Sequence, residues 1–276
     1  MNQVSKRAKW YLTAVALVIT LLHLIPYYIL LTTAFKRAGD FSSKWLFPDY
    51  FSFENFTNAW EQANLSNAFM NTFVITFFAA AMLILFGSLA AYALARRQTR
   101  LNKYVYMLFV AVMVIPPLTA LVPLYQLVVD VGLMNTRLVA VLNNVAAFLP
   151  LTIFLYAGFI RSTVPKELEE AAKMDGASTI GIFFRVVFPL LKPITATVLI
   201  LSCVYIWNDY QFAIFFLQDS DMHTLTVALA SFFGQNTSQL GLVGAAALIA
   251  SLPMVFLFLF LQRFFIEGLA AGSVKG

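Results

Sequence analysis

The chain has 276 residues, of which 61% are hydrophobic and 11% charged, with a formal net charge of +5 and one cysteine. A soluble domain carries about 25% charged residues, so this composition excludes an ordinary soluble protein. The lone cysteine excludes a disulfide framework within the chain.

The first apolar run, Trp10 to Phe35, is 26 residues without Lys, Arg, Asp or Glu. Roughly 20 apolar residues cross a bilayer as a helix. Lys6, Arg7 and Lys9 precede the run as they would in a secretory signal. The run is too long for a signal core and no small-residue cleavage site follows, so it is expected to stay as a first span near 10–35. Residues 36–67 are expected to form the longest outer segment, with aromatics at the membrane interface. Further spans are expected near 68–95, 104–128, 138–160, 194–217 and 243–265. The last holds Pro253, tolerated at depth where neighbouring helices cover the loosened backbone. The predicted fold is an all-α membrane protein with six transmembrane helices and no second soluble domain.

Orientation follows from the basic residues, which lie between the apolar runs. With the N-terminus inside, the inner segments hold 14 Lys and Arg and the outer segments hold Lys36, Arg37, Lys44 and Arg137. The positive-inside rule then places both termini on the cytoplasmic side. This interleaved distribution serves orientation and argues against nucleic acid as a partner.

Between the fourth and fifth spans, residues 164–193 turn polar: "VPKELEEAAKMDGASTIGIFFRVVFPLLKP". Pro165 suits a helix start, and Glu167, Glu169 and Glu170 complement the helix dipole. Gly176 stands where a left-handed residue ends the helix, and Ser178 is placed to cap a second one. Pro189 and Pro193 mark its exit. An amphipathic surface hairpin has the same pattern. The spacing of "EAA", "DGA" and "FFRVVFPLLKP", however, resembles the cytoplasmic EAA loop of permease subunits of ATP-binding-cassette importers. Glu170, Ala171, Ala172, Asp175, Gly176, Ala177, Phe183, Pro189, Leu190 and Pro193 fall at matching positions. "YIWNDYQF", "TLTVALASF" and "QRFFIEGLAAGSVKG" are similar to the carbohydrate branch, in particular to the second permease of maltose-type systems, over essentially the whole chain.

The resemblance implies one permease domain over residues 1–276 in a bacterial cytoplasmic membrane, with a cytoplasmic coupling helix that docks on an ATPase. Glu170, Ala171, Ala172, Asp175, Gly176 and Ala177 would make that contact. It implies a homologous second permease, two ATPase subunits that hold ATP and Mg2+, an extracellular sugar-binding protein and a sugar substrate. Gln235, Asn236 and Thr237, in the outer segment 218–240, would touch the binding protein. The C-terminal "GLAAGSVKG" would reach the ATPase interface.

No G-x-x-x-x-G-K-[ST] phosphate loop occurs in the sequence, so ATP hydrolysis and any catalytic role are expected in partner chains. His23, His223 and Cys203 are too scattered to suggest a metal site, and no cofactor is expected on this chain. Ionisable residues within a span are functional candidates. Asp209 follows Asn208 in "WNDYQ", on what is expected to be one continuous helix. Trp207, Asn208 and Asp209 are candidates for a sugar path, with Asn208 facing it and Asp209 bracing a neighbouring helix. Asn143 and Asn144 either line the same path or join helices. An ion-driven secondary transporter is the alternative; it would need no ATPase and would carry more intramembrane carboxylates. A membrane scaffold with no path is a third possibility.

Overall fold

The structure, a computed structural model, describes residues 6–37, 39–40, 42–235 and 239–273, with side chains from residue 7 to residue 264 of these. Asn236 and Thr237 therefore lie outside the described residues, as do the last three residues of the tail. Among the described residues every regular element is helical. The elements are α1 (Lys6–Ala34), α2 (Glu54–Gln62), α3 (Leu65–Arg96), α4 (Arg100–Val112), α5 (Leu121–Asp130), α6 (Arg137–Thr163) and α7 (Lys166–Met174). They continue with α8 (Thr179–Leu190), α9 (Lys192–Trp207), α10 (Ala213–Phe216), α11 (Leu225–Gln235) and α12 (Leu240–Ser273).

Among the described residues four helices, α1, α3, α6 and α12, are each long and apolar enough to cross a membrane. Counting each of the bent pairs α4–α5 and α8–α9 as one span brings the number to six. The third expected span is therefore not one helix. Between α4 and the segment Pro117–Asp130, made of the Pro117–Ala120 turn and α5, the axis bends by 96°. Pro116 and Pro117 cause the break: each lacks a donor N–H, and proline drives the residue before it out of the helical region.

The fifth span is also shorter than expected. Helix α9 ends at Trp207, and Asn208 is its C-terminal cap. The Nδ2 of Asn208 donates back to the Val204 carbonyl at 2.7 Å. Asp209 Oδ1 accepts from the Phe212 amide at 3.1 Å, which turns the chain into α10. Short polar side chains that bond nearby backbone compete with helix continuation. Asn208 and Asp209 thus do not share a helix, contrary to the sequence expectation. Beyond them, the outer segment 218–240 is not a plain connector, since it contains α11, with Leu225, Val227, Leu229 and Phe232 buried.

The chain divides into two compact units, Met1–Ser66 with Leu229–Ser251, and Asn67–Ala228 with Leu252–Gly276. In the first unit the loop after α1 is tied down by polar side chains. Lys36, 5% exposed, donates from Nζ to the Ser42 and Ser43 carbonyls and to Ser42 Oγ. Asn55 Nδ2 donates to the Ala34 and Lys36 carbonyls at 2.9 and 2.6 Å. Phe35 meets Phe47, Phe51, Phe53 and Phe56, so these aromatics pack on one another. Gly241 packs tightly here: a Cβ would stand 2.6 Å from Asn55 Nδ2 and 3.0 Å from the Thr33 carbonyl.

The second unit holds two apolar clusters. One gathers Ile75, Leu83, Val139, Val145, Ile206 and Phe216. The other gathers Ala91, Ile153, Tyr156, Ile160, Phe183 and Leu191. Where α3 crosses α6, Gly87 lets the helices approach, because a Cβ there would lie 2.4 Å from Thr152 Cγ2.

Candidate functional site

The polar segment between α6 and α9 is built by local rules. Helix α7 is amphipathic and buries none of its residues in the isolated chain. It ends in a Schellman motif: the Ala177 amide donates to the Ala172 carbonyl and the Gly176 amide to the Lys173 carbonyl, both at 3.0 Å. Gly176 has φ of 80°, a conformation that costs an ordinary L residue energy. Ser178 follows as the cap of α8, its Oγ accepting from the Gly181 amide at 3.2 Å. Two capped helix ends, two residues apart, leave the tip little freedom. Helix α8 contains a π-helical stretch, Phe183–Val187, and bends by 76° into α9 at Leu191.

The two helices differ in what they bury. Ile182, Phe183, Val187 and Leu191 are sealed in the second apolar cluster. Glu170, Ala171, Asp175, Gly176 and Ala177 are exposed, and Ala172 is half-buried. Met174 at 88% and Ile180 at 68% exposure place apolar surface at the same tip. The segment therefore presents a rigid, mixed polar and apolar knob on a buried foot.

Sequence reasoning treated Glu169 only as a dipole partner. The structure gives it a tertiary role. Arg96, at the end of α3, donates from Nε to Glu169 Oε1 at 2.7 Å and brings Nη2 to 2.6 Å from the same atom. Arg96 Nη2 also donates to the Val164 carbonyl at 2.8 Å, and Tyr92 Oη donates to Glu169 Oε2 at 2.9 Å. The ion pair is shielded, with side-chain exposures of 12% and 14%. Tyr92 also packs on Phe183 with ring centroids 5.3 Å apart. A long spanning helix is thus joined to both arms of the knob. No local signal revealed this pairing, because the partners are 73 residues apart.

The second constellation surrounds Asp209. Asn144, on α6 and 2% exposed, donates from Nδ2 to Asp209 Oδ2 at 3.3 Å and to the Ala140 carbonyl at 2.9 Å. Thr226 Oγ1 donates to the Asp209 carbonyl at 2.7 Å. Asp209 therefore ties α6, the end of α9 and the start of α11 together. The Oδ1 of Asn144 is buried without a hydrogen-bond partner. Of the five path candidates, the structure brings Asn144 and Asp209 together. Asn143 is half-buried and Asn208 is exposed. Trp207 is 3% exposed and packs edge-on against Phe69 at 5.5 Å, so its face is not presented beside Asn208. Of the expected binding-protein contacts, Gln235 is described, exposed at the end of α11.

Another polar anchor was missed by sequence reasoning. Asn71, fully buried in α3, accepts from Arg137 Nε at 2.9 Å and donates to the Asp221 and His223 carbonyls at 2.9 and 3.0 Å. In the sequence it stands in the polar stretch "NLSNAFMNTF" ahead of the apolar run, and nothing local points to its distant partners.

Comparison with known proteins matches this architecture. Residues 83–270 match the family described as binding-protein-dependent transport system inner membrane component. The chain is 62% identical over 265 residues to the melibiose/raffinose/stachyose import permease protein MelC of Bacillus subtilis, covering 96% of each chain. It is 34% identical over 270 residues to the probable starch degradation products transport system permease protein AmyC of Thermoanaerobacterium thermosulfurigenes, covering 97% of each. Among solved structures, a chain of a bacterial ABC transporter involved in the import of the acidic polysaccharide alginate has the same fold. It has a TM-score of 0.79 and 21% identity, with 96% of this chain and 100% of that one covered. The chain belongs to the family of binding-protein-dependent transport system inner membrane components.

Proposed function

We propose that this chain forms half of the translocation path of an ATP-driven importer for an oligosaccharide of the melibiose, raffinose and stachyose type. The observation that carries this reading is the 62% identity to MelC over 96% of both chains. In this reading the chain pairs with a homologous permease in a bacterial cytoplasmic membrane, with both termini cytoplasmic. Two ATPase subunits bind ATP and Mg2+, and an extracellular binding protein delivers the sugar. This chain itself is not an enzyme.

The knob made by α7 and α8 is the ATPase docking element. Its exposed Glu170, Asp175 and Met174 offer charge and apolar surface to a cleft. The Arg96–Glu169 pair and the buried foot of α8 carry movement of the ATPase to α3 and the second cluster. Interfaces and packed cores respond to small shifts as units rather than by bending continuously. At the outer end, Asn208 is the sugar-facing residue and Asp209 braces it through Asn144. Gln235, Asn236 and Thr237 meet the binding protein.

The test is uptake of labelled raffinose by proteoliposomes holding this chain, its partner permease, the ATPase and the binding protein. Uptake should require internal ATP and the binding protein, and should survive collapse of proton and sodium gradients by ionophores. Uptake that persists without ATP and vanishes with the ion gradient would establish the secondary-transporter alternative instead.

A further inference from the structure

The end of α3, the start of α4 and Arg161 of α6 line an open cavity of about 570 Å3. Four cations line it, Arg97, Arg100, Lys103 and Arg161, and none of its lining residues is acidic. Among the described residues, none of the four takes part in an ion pair; the Glu169 carboxylate is bound by Arg96. The positive-inside rule explains why cations lie at this end of the helices. It does not explain why four of them converge on one cavity, where they repel one another.

The surroundings hold these groups in place. Thr99 Oγ1 caps α4 by accepting from the Asn102 amide at 3.2 Å. Asn102 Nδ2 reaches back to the Arg97 carbonyl at 2.9 Å and the Ala93 carbonyl at 3.3 Å. The turn that carries Arg97 and Arg100 is thereby pinned to the end of α3. Arg161 donates from Nη2 to the Leu94 carbonyl at 3.2 Å and lies over the Tyr106 ring, 4.4 Å from its centroid. One edge of its guanidinium is engaged, and the remaining donors are left for a ligand. Tyr106 and Met107 give the cavity an apolar wall. Beside it, Leu101, Tyr104 and Leu108 form a stripe at helical spacing on α4 and are 70%, 65% and 63% exposed.

We propose that this cavity binds a phosphate-bearing anion, either the headgroup of an anionic phospholipid or a soluble phosphate ester. Arginine forks and lysine point charges match phosphate oxygens. Basic pockets between spanning helices on the inner side of a membrane are suited to anionic headgroups, and the apolar stripe beside this one suits acyl chains. The proposal concerns a site apart from the knob and from Asp209, and it does not depend on which solute is transported.

The test uses the intact transporter complex in nonionic detergent and a fluorescent short-chain phosphatidylglycerol, with the matching phosphatidylcholine as the neutral-headgroup control. Binding of the phosphatidylglycerol should saturate and should weaken as salt rises. An Arg97→Gln/Arg100→Gln/Lys103→Gln variant should lose at least about tenfold in affinity, since each charge-assisted hydrogen bond contributes substantially. Arg7→Gln/Lys9→Gln/Arg263→Gln, with the same change in charge elsewhere, should bind as the parent does. Displacement by inorganic phosphate at low millimolar concentration assigns the site to a soluble ester; resistance to it assigns the site to lipid. Should the glutamine variant not be recovered as a complex, Arg97→Lys/Arg100→Lys, which keeps the charge but loses the planar fork, should still weaken binding by at least about threefold, and unchanged binding in it would count against the site. Equal binding of phosphatidylcholine, equal loss in the control variant, or no saturable binding by the parent overturns the proposal.

Discussion

Arg96 at the end of α3 and Glu169 in α7 form a shielded ion pair in which one guanidinium nitrogen stands 2.6 Å from the carboxylate. Both groups have further partners: the Val164 carbonyl for Arg96 and the Tyr92 hydroxyl for Glu169. Removing one member of such a pair leaves the other charge poorly solvated, at a cost of about 3–5 kcal/mol when fully buried and less when part-exposed as here. Glu169→Gln keeps an acceptor for Tyr92 and removes the charge. It should leave complex yield near the parent level and reduce sugar-stimulated ATPase activity several-fold. Glu169→Ala should be worse, since Tyr92 then loses its acceptor. A double-mutant cycle between Arg96→Gln and Glu169→Gln should show coupling of about 1–3 kcal/mol in thermal stability. Full additivity would remove the pair from any coupling role.

Gly176 allows a separation of two effects that are usually mixed. Its φ of 80° penalises side chains, yet a Cβ at this position meets nothing within 4 Å. Within this chain, then, the cost of substitution is conformational, about 1–2 kcal/mol for most residues and less for asparagine. If nothing docks at the tip, Gly176→Asn should transport normally. If the ATPase approaches the backbone closely, Gly176→Asn and Gly176→Val should both weaken its copurification. The proposed docking predicts the second outcome. Normal copurification and uptake in both variants would count against the knob as the contact.

The local chemistry of this knob was legible in the sequence because every part of it is a short-range rule: glutamates in the first turn, a glycine at C′, a serine cap. The longer apolar runs were legible as spans for the same reason. What was not legible arises where two signals compete. Hydropathy runs unbroken through Pro116 and Pro117, so the third span read as continuous although the backbone breaks there by 96°. Apolar character also continues past Asn208 and Asp209, which hid the end of α9. Helix α11 was obscured by its position between two expected spans, where a loop was assumed. The Arg96–Glu169 and Asn144–Asp209 contacts are tertiary, and no periodicity announces them.

Asp209 should separate bracing from charge. Asp209→Asn retains an acceptor for the Phe212 amide while removing the negative charge next to Asn144. Assembly should survive and uptake should fall. Asn144→Asp should do more damage, since two carboxylates would then face each other and one must stay protonated or move apart. Asn208→Ala should lower uptake with normal assembly, because its amide bonds only the Val204 carbonyl among the described residues. Complex yield and raffinose uptake measured side by side distinguish these cases. Unchanged uptake by Asn208→Ala at normal yield would take this residue out of the path.

The crossing of α3 and α6 offers a test of packing that is independent of transport. A Cβ on Gly87 would lie 2.4 Å from the Thr152 methyl carbon and 3.3 Å from Thr152 Cβ. Overpacking of this type costs about 1–3 kcal/mol, so Gly87→Ala should lower the thermal midpoint of the purified complex. Thr152 itself carries a buried Oγ1 with no hydrogen-bond partner. Thr152→Ala removes that orphan hydroxyl along with the methyl, and the loss of packing is offset by the lost desolvation burden, so alone it should fall within about 1 kcal/mol of neutral. In combination, Thr152→Ala should restore most of the stability lost in Gly87→Ala, because the 2.4 Å contact disappears and the 3.3 Å contact needs only a small shift. A double variant no more stable than Gly87→Ala would show that the helices do not cross at these residues.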